Sequence, residues 1–278
     1  MTRTNDRRSA LLILAESGIM LALATVLSVL KLADLPYGGS VTPASLLPIL
    51  LIAYRHGTGK GLLCALCYGV IQQLLGLNTL SYFSTWYSIL AIILLDYILA
   101  FAAAGLGGIF RNKLKNQALA LTLGGLLVCL VRYLCHVISG ATVWAGMSIP
   151  TGGALIYSFI YNATYMLPEA IILVLACYYL GSSLDFSKRL PTRTVRTSVP
   201  AADWLKIVGG GLLIGGVCYD VARIFSILQD GETGEFTLTA LTEAEFSFFL
   251  PVIVVSAVAF VLFLDCFAIA ALLSKKKN

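Results

Sequence analysis

Residues 132–162 read RYLCHVISGATVWAGMSIPTGGALIYSFIYN. The stretch joins two long apolar segments, Ala118–Val143 and Ala154–Leu180, and each is long enough to cross the hydrocarbon layer of a bilayer, about 30 Å thick. Within them stand Arg132, His136, Trp144 and Asn162, and His136 is one of only two histidines in the chain. A ring nitrogen at that depth is costly unless it has a partner, a water-filled cavity or a ligand. The sequence therefore points to a membrane protein that holds a small polar molecule between its helices.

Composition places the rest of the chain in the same class. Of 278 residues 59% are hydrophobic and 12% charged, with a mean hydropathy of +0.90, which excludes a water-soluble domain. Six further apolar runs accompany the first two: Ala10–Leu30, Ala44–Tyr54, Gly61–Leu77, Trp86–Phe110, Trp204–Leu228 and Phe246–Leu273. The expected fold is an all-α integral membrane protein with eight spans. The second span is short and carries Pro48, as a tilted or half-buried helix would.

The basic residues orient these spans. Arg3, Arg7 and Arg8 precede the first; Arg55 and Lys60 follow the second; Arg111, Lys113 and Lys115 follow the fourth. Lys188, Arg189, Arg193, Arg196 and Lys206 follow the sixth, and Lys275–Lys277 close the chain. With eight spans, 16 of the 19 Lys and Arg fall on one side, so the positive-inside rule predicts both termini in the cytoplasm of a bacterial plasma membrane. The +5 net charge is accounted for by topology and anionic headgroups, and no nucleic-acid patch stands out. Residues 182–203 form a basic, Pro- and Thr-rich linker between a six-span body (1–181) and a two-span tail (204–278).

Several tempting motifs fail. The first apolar run is too long for a cleavable signal peptide, and no small-residue cleavage site follows it. All seven cysteines lie within spans, and the pair Cys64 and Cys67 has no second pair or nearby histidine to make a metal site. Gly57-Thr58-Gly59-Lys60-Gly61 lacks the GxxxxGK[ST] spacing of a phosphate loop, so ATP hydrolysis is not expected of this chain alone. Asn162-Ala163-Thr164 matches a glycosylation pattern but sits in a span. His56 belongs to a cytoplasmic loop far from His136, which leaves a metalloprotease without a second ligand. No metal, no cofactor and no enzymatic activity are expected.

What remains is a set of polar and aromatic residues at a common depth. Trp86 stands at the mouth of the fourth span, with Asp96 and Tyr97 some ten residues deeper. In the fifth span Arg132, His136, Gly140 and Trp144 recur every four residues along one broad face. In the sixth, Ser158, Asn162, Tyr165 and Glu169 form a stripe, with Tyr157 and Tyr161 beside it. Aromatic faces with a carboxylate suit a flat, cationic or heteroaromatic solute. The plainer alternative makes the tryptophans interfacial belt residues and pairs Asp96 with Arg132.

The first six spans resemble the thiamine-specific S-component (ThiT/YuaJ) family of energy-coupling factor (ECF) transporters. The resemblance rests on LPYGGSVTPASLLPILLIAYRHG at 35–57, LLDYILAFAAAGLGGIF at 94–110, RYLCHVISGATVW at 132–144 and YSFIYNATYMLPEAI at 157–171. It covers roughly residues 10–181, above all through the pattern YxxH-x3-G-x3-W followed by YSxxxN. It implies a six-helix S-component body that binds thiamine from outside; the two extra C-terminal helices lie outside the resemblance. Transport is then shared with a separate transmembrane coupling subunit and two ATPase subunits, in keeping with the missing phosphate loop. Carried over position by position, the resemblance implies thiamine contacts at Asp96, Tyr97, His136, Gly140, Trp144, Tyr157 and Asn162, with Trp86 where the family has an aromatic. Acid and histidine would hold the aminopyrimidine, and aromatic rings would sandwich the thiazolium. The family often has Glu at position 96; Asp keeps the charge and shortens the reach.

Some family members place a tryptophan and a glutamate in the loop between spans one and two, where Gly39 and Pro43 stand here. The segment containing Tyr37, Gly38 and Gly39 is the expected gate. Gly18 and Ala22 are spaced for close helix approach, either to the coupling subunit, as the resemblance implies, or to a neighbouring span. In the tail, Asp220 and Arg223 are placed to neutralise each other, and Asp265 has no evident partner at its depth. Beside the thiamine reading stand a related binder of another vitamin or a thiamine precursor, and, from a different class, an intramembrane enzyme using His136 with Asp96 or Glu169.

Overall fold

The computed structural model describes residues 2–35, 39–147, 151–188, 190–194, 200–228, 240 and 243–275. They are almost entirely helical, and the chain divides into two compact bodies, Met1–Arg193 and Thr194–Asn278. In the first, α1 (Thr2–Val29) leads through a small antiparallel hairpin, β1 (Ala33–Asp34) and β2 (Ser40–Val41), to α2 (Leu47–His56) and α3 (Thr58–Leu75). A 3-10 segment at Leu77–Tyr82 precedes a composite helix. That helix comprises α4 (Trp86–Ile92), a π-helical stretch Ile93–Leu99, α5 (Ala100–Ala102) and a 3-10 end Ala103–Gly108. Then come α6 (Gln117–Thr142), α7 (Ala154–Ser183) and a second hairpin, β3 (Leu184–Asp185) with β4 (Thr192–Arg193). This hairpin belongs to the first body, although the sequence placed it in the linker.

Among the described residues six helical segments are long and apolar enough to cross a membrane: Ala10–Val29, Trp86–Gly108, Gln117–Thr142, Ala154–Ser183, Ala201–Leu228 and Phe246–Ser274. The other two expected spans fall short of that standard. α2 has 10 residues, about 15 Å at the helical rise of 1.5 Å per residue, so it does not cross by itself. Instead it forms the centre of the body. Ile49, Leu50, Ile52 and Ala53 are fully buried, and Pro48 sits in the first turn, where its missing N–H leaves no intrahelical bond unmade. By contrast α1 is mostly exposed along its apolar length, as a helix facing lipid should be.

Small residues let the inner helices meet backbone to backbone. A Cβ on Gly108 would lie 2.1 Å from the Ala53 carbonyl oxygen, and one on Gly124 would lie 2.2 Å from that of Gly107. α2, the 3-10 end of the composite helix and α6 therefore touch without intervening side chains. At the end of the bundle where α2 gives way to α3, Glu16 of α1 pairs with Arg55 and with His56 Nε2, the latter at 2.9 Å. Burial, with Arg55, Lys60 and Arg111 nearby, holds the His56 imidazole below its usual range.

The second body is a pair of helices, α8 (Pro200–Leu228) and α9 (Phe246–Lys275). Gly209 and Gly216 admit Cys266 and Ala259, so the two pack closely and antiparallel. The expected Asp220–Arg223 ion pair is absent among the described residues. Asp220 accepts a hydrogen bond from Ser256 at 2.5 Å, and the Arg223 guanidinium lies 4.7 Å from the centroid of Phe248. The facing helix offers a hydroxyl and an aromatic ring, and these draw the two side chains apart.

Candidate functional site

The C-terminal ends of α1, α3 and α6, the start of α7 and the first hairpin gather around a cavity of about 450 Å³. Pockets for small molecules span about 300–1,000 Å³. The opposite end of this body carries the basic residues at the α2–α3 junction.

Asp96 organises one wall. It lies in the π-helical stretch, where one extra residue in the turn re-aims the side chains relative to an ideal α-helix. One carboxylate oxygen is 2.9 Å from His136 Nδ1. The other accepts from Ser139 Oγ at 2.8 Å and from the Trp144 indole at 3.2 Å. Because a carboxylate only accepts, this contact fixes the Nδ1–H tautomer in a neutral imidazole and leaves the lone pair at Nε2. His136 lines the cavity, and its Nε2 is buried and, among the described residues, has no hydrogen-bond partner. Trp144 is fixed further by an edge-on contact with Phe83, ring centroids 4.9 Å apart.

A second cluster closes the deep side. Arg132, one turn before His136 on α6, pairs with Glu169 of α7, and its guanidinium lies 4.8 Å from the Phe101 ring centroid. Glu169 also accepts from Thr42 Oγ1 at 2.6 Å, and Thr42 Oγ1 in turn accepts from Ser45 Oγ at 2.8 Å. The alternative pairing of Asp96 with Arg132 is thereby corrected: each has its own partner of opposite charge or polarity, reached from a different helix. Asn162 is held by Ser158 and the His136 carbonyl, and its Oδ1 accepts from the Tyr165 hydroxyl at 2.6 Å. Tyr97 donates to Thr79 at 3.1 Å across the mouth of α3.

Of the residues expected at the site, Asp96, Tyr97, His136, Gly140, Trp144 and Asn162 line this one cavity. Trp86 does not. It is 75% exposed and packs against Tyr87, because it begins α4 on the outer face of that helix. Tyr157 is buried but is not among the lining residues, since five helical residues turn it about 140° from Asn162. Of the expected gate, Tyr37 and Gly38 lie outside the described residues. Gly39 lines the cavity, and a Cβ there would come within 2.7 Å of the Tyr165 ring. In this chain Tyr165 fills the space that a side chain at position 39 would need. Gly18 and Ala22 are exposed, and among the described residues nothing lies within 4 Å of a Cβ placed on Gly18, so no neighbouring span packs on it there.

The sequence missed Ser139, Thr42, Ser45 and Gln72 as cavity or network residues. Ser139 could have been found from its position one turn after His136. Gln72, hydrogen-bonded to Ser28 at 2.8 Å, is a polar residue in an otherwise apolar helix. Among the described residues no three His, Cys, Asp or Glu side chains come together as a metal site.

The family described as "Thiamine transporter protein (Thia_YuaJ)" matches residues 14–187. The thiamine transporter ThiT of Bacillus subtilis (strain 168) is 39% identical over 171 residues, covering 57% of this chain and 84% of that one. The solved structure of ThiT from Listeria monocytogenes superposes with a TM-score of 0.51 at 25% identity, covering 62% of this chain and 94% of that one. All three matches leave part of the chain uncovered, and the family match ends before the second body begins. The chain is a multi-pass bacterial membrane protein and belongs to the Thia_YuaJ family of thiamine transporter proteins.

Proposed function

We propose that this protein is the substrate-capturing subunit of an ECF-type importer and takes up thiamine in the cavity bounded by Asp96, His136 and Trp144. It delivers the vitamin through a separate transmembrane coupling subunit, driven by two ATPase subunits. The observation that carries the proposal is the buried His136 Nε2, oriented by Asp96 and without a protein partner. A buried acceptor in that state calls for a donor from the ligand, and the exocyclic amine of an aminopyrimidine supplies one. Tyr97, Trp144 and Tyr161 offer ring faces to the flat cationic remainder. The basic end of the first body faces the cytoplasm, so the cavity belongs to the outer half of the membrane.

Titrating the purified full-length protein with thiamine while following tryptophan fluorescence tests this reading. Saturable quenching is expected, and it should disappear in His136→Ala. Silence towards thiamine together with saturable binding of another solute, such as an isolated pyrimidine precursor, would assign the cavity to that solute instead.

The exposed Gly18 and Ala22 on α1 are the proposed contact with the coupling subunit. A Gly18→Trp variant should bind thiamine as the parent does and lose at least about nine-tenths of uptake, because a bulky ring prevents close helix approach. Loss of binding as well as uptake would place Gly18 in the fold of the first body instead.

A further inference from the structure

The second body lies beyond the family match, and its polar groups are unequally provided for. Asp220 has Ser256, and Arg223 has the ring of Phe248. Asp265 is exposed in the middle of the apolar helix α9, ten residues before Lys275, and makes no hydrogen bond or ion pair among the described residues. It stands nine residues after Ser256, half a turn round the helix, and is thus directed away from the contact that Ser256 makes with α8. Around it on the same side run Val258, Val261, Leu262, Ile269 and Leu272, all at least 40% exposed. A carboxylate in such an apolar face is costly within a bilayer unless it is paired. This chain has few cations to offer. Among the described residues the six long segments hold only Arg132, Lys206 and Arg223. Arg132 is committed to Glu169, Arg223 lies at the far end of its helix over Phe248, and Lys206 makes no ion pair with Asp265.

We propose that the outer face of α9, centred on Asp265, docks a membrane-spanning helix of another polypeptide that carries an arginine or lysine at the same depth. The apolar residues around Asp265 supply packing for that helix, and the buried charge pair selects it. The face thus makes the second body an assembly element.

The test uses the full-length protein in lipid nanodiscs, fluorescently labelled at its C-terminus, with labelled leucine–alanine spanning peptides. The peptides carry a single Arg, Leu or Glu at the depth of Asp265, and energy transfer reports association. The Arg peptide should associate about tenfold more tightly than the Leu peptide, the range expected for an interhelical polar contact in lipid. Asp265→Leu should remove that preference, and Asp265→Lys should transfer it to the Glu peptide. An unchanged tryptophan spectrum and thermal transition in each variant show that the protein remains folded. Equal association with Arg and Leu peptides, or an Arg preference that survives in Asp265→Leu, would overturn the proposal. Self-association of the protein that is lost in Asp265→Leu, with no Arg preference, would overturn it in favour of contact between copies of this chain.

Discussion

Asp96→Ala is expected to weaken thiamine binding at least about a hundredfold. Its carboxylate accepts from His136 Nδ1, Ser139 Oγ and the Trp144 indole. Removing it leaves buried donors unsatisfied at about 1–3 kcal/mol each, and a hundredfold change in affinity needs only about 2.8 kcal/mol. The loss falls on binding more than on folding, because empty protein can let water into the cavity whereas the bound ligand would keep it out. His136 would also lose the partner that fixes its tautomer, so Nε2 would no longer be held as an acceptor. Asp96→Asn should do little better, since its amide turns a donor towards one of the three donors it replaces. Asp96→Glu should restore most of the affinity, the longer acid being common at this position in the family the sequence resembles. Calorimetric titration of the purified variants measures all three, and an Asp96→Ala affinity within threefold of the parent would remove Asp96 from the site.

Much of this arrangement could be read from the sequence because the bilayer restricts what a polar residue can do. His136, Asp96, Trp144 and Asn162 stood out as polar or amphipathic groups within apolar segments, and the helical repeat placed the first and third on one face. The pairings were less legible. Asp96 and Arg132 looked like partners because both are charged and deep, yet each found a better neighbour once α7 brought Glu169 beside Arg132. No local pattern announces the π-helical turn at Ile93–Leu99, so an ideal helical wheel mis-aims the side chains that follow it. Trp86 and Tyr157 lie off the cavity lining for a related reason. Proximity in sequence to a cavity residue says nothing about which side of the helix faces inward. α2 was the least legible element: its apolar run reads as a short span, although it is a largely buried helix too short to cross, a distinction set by the packing around it.

Glu169→Ala should lower the stability of the first body by about 3–5 kcal/mol, the usual consequence of stranding one member of a buried ion pair. Arg132 is 8% exposed and Glu169 3%, so the partner left behind stays largely shielded from bulk water. The same change removes the acceptor of Thr42, which tethers the segment leading into α2 to α7. At about 2–4 °C per kcal/mol for a body of this size, the thermal midpoint in detergent should fall by about 10 °C. The reverse single change, Arg132→Met, should cost a similar amount by leaving Glu169 uncompensated. Replacing both, as Arg132→Met with Glu169→Leu, should recover most of the loss, because the desolvation of two charges disappears with the charges themselves. The Met side chain can keep contact with the Phe101 ring in place of the guanidinium. A double variant as unstable as either single one would mean that the network stabilises the fold through its hydrogen bond to Thr42 rather than through charge compensation. Glu169→Gln then separates the two contributions, since it keeps an oxygen for Thr42 while discarding the charge that faces Arg132.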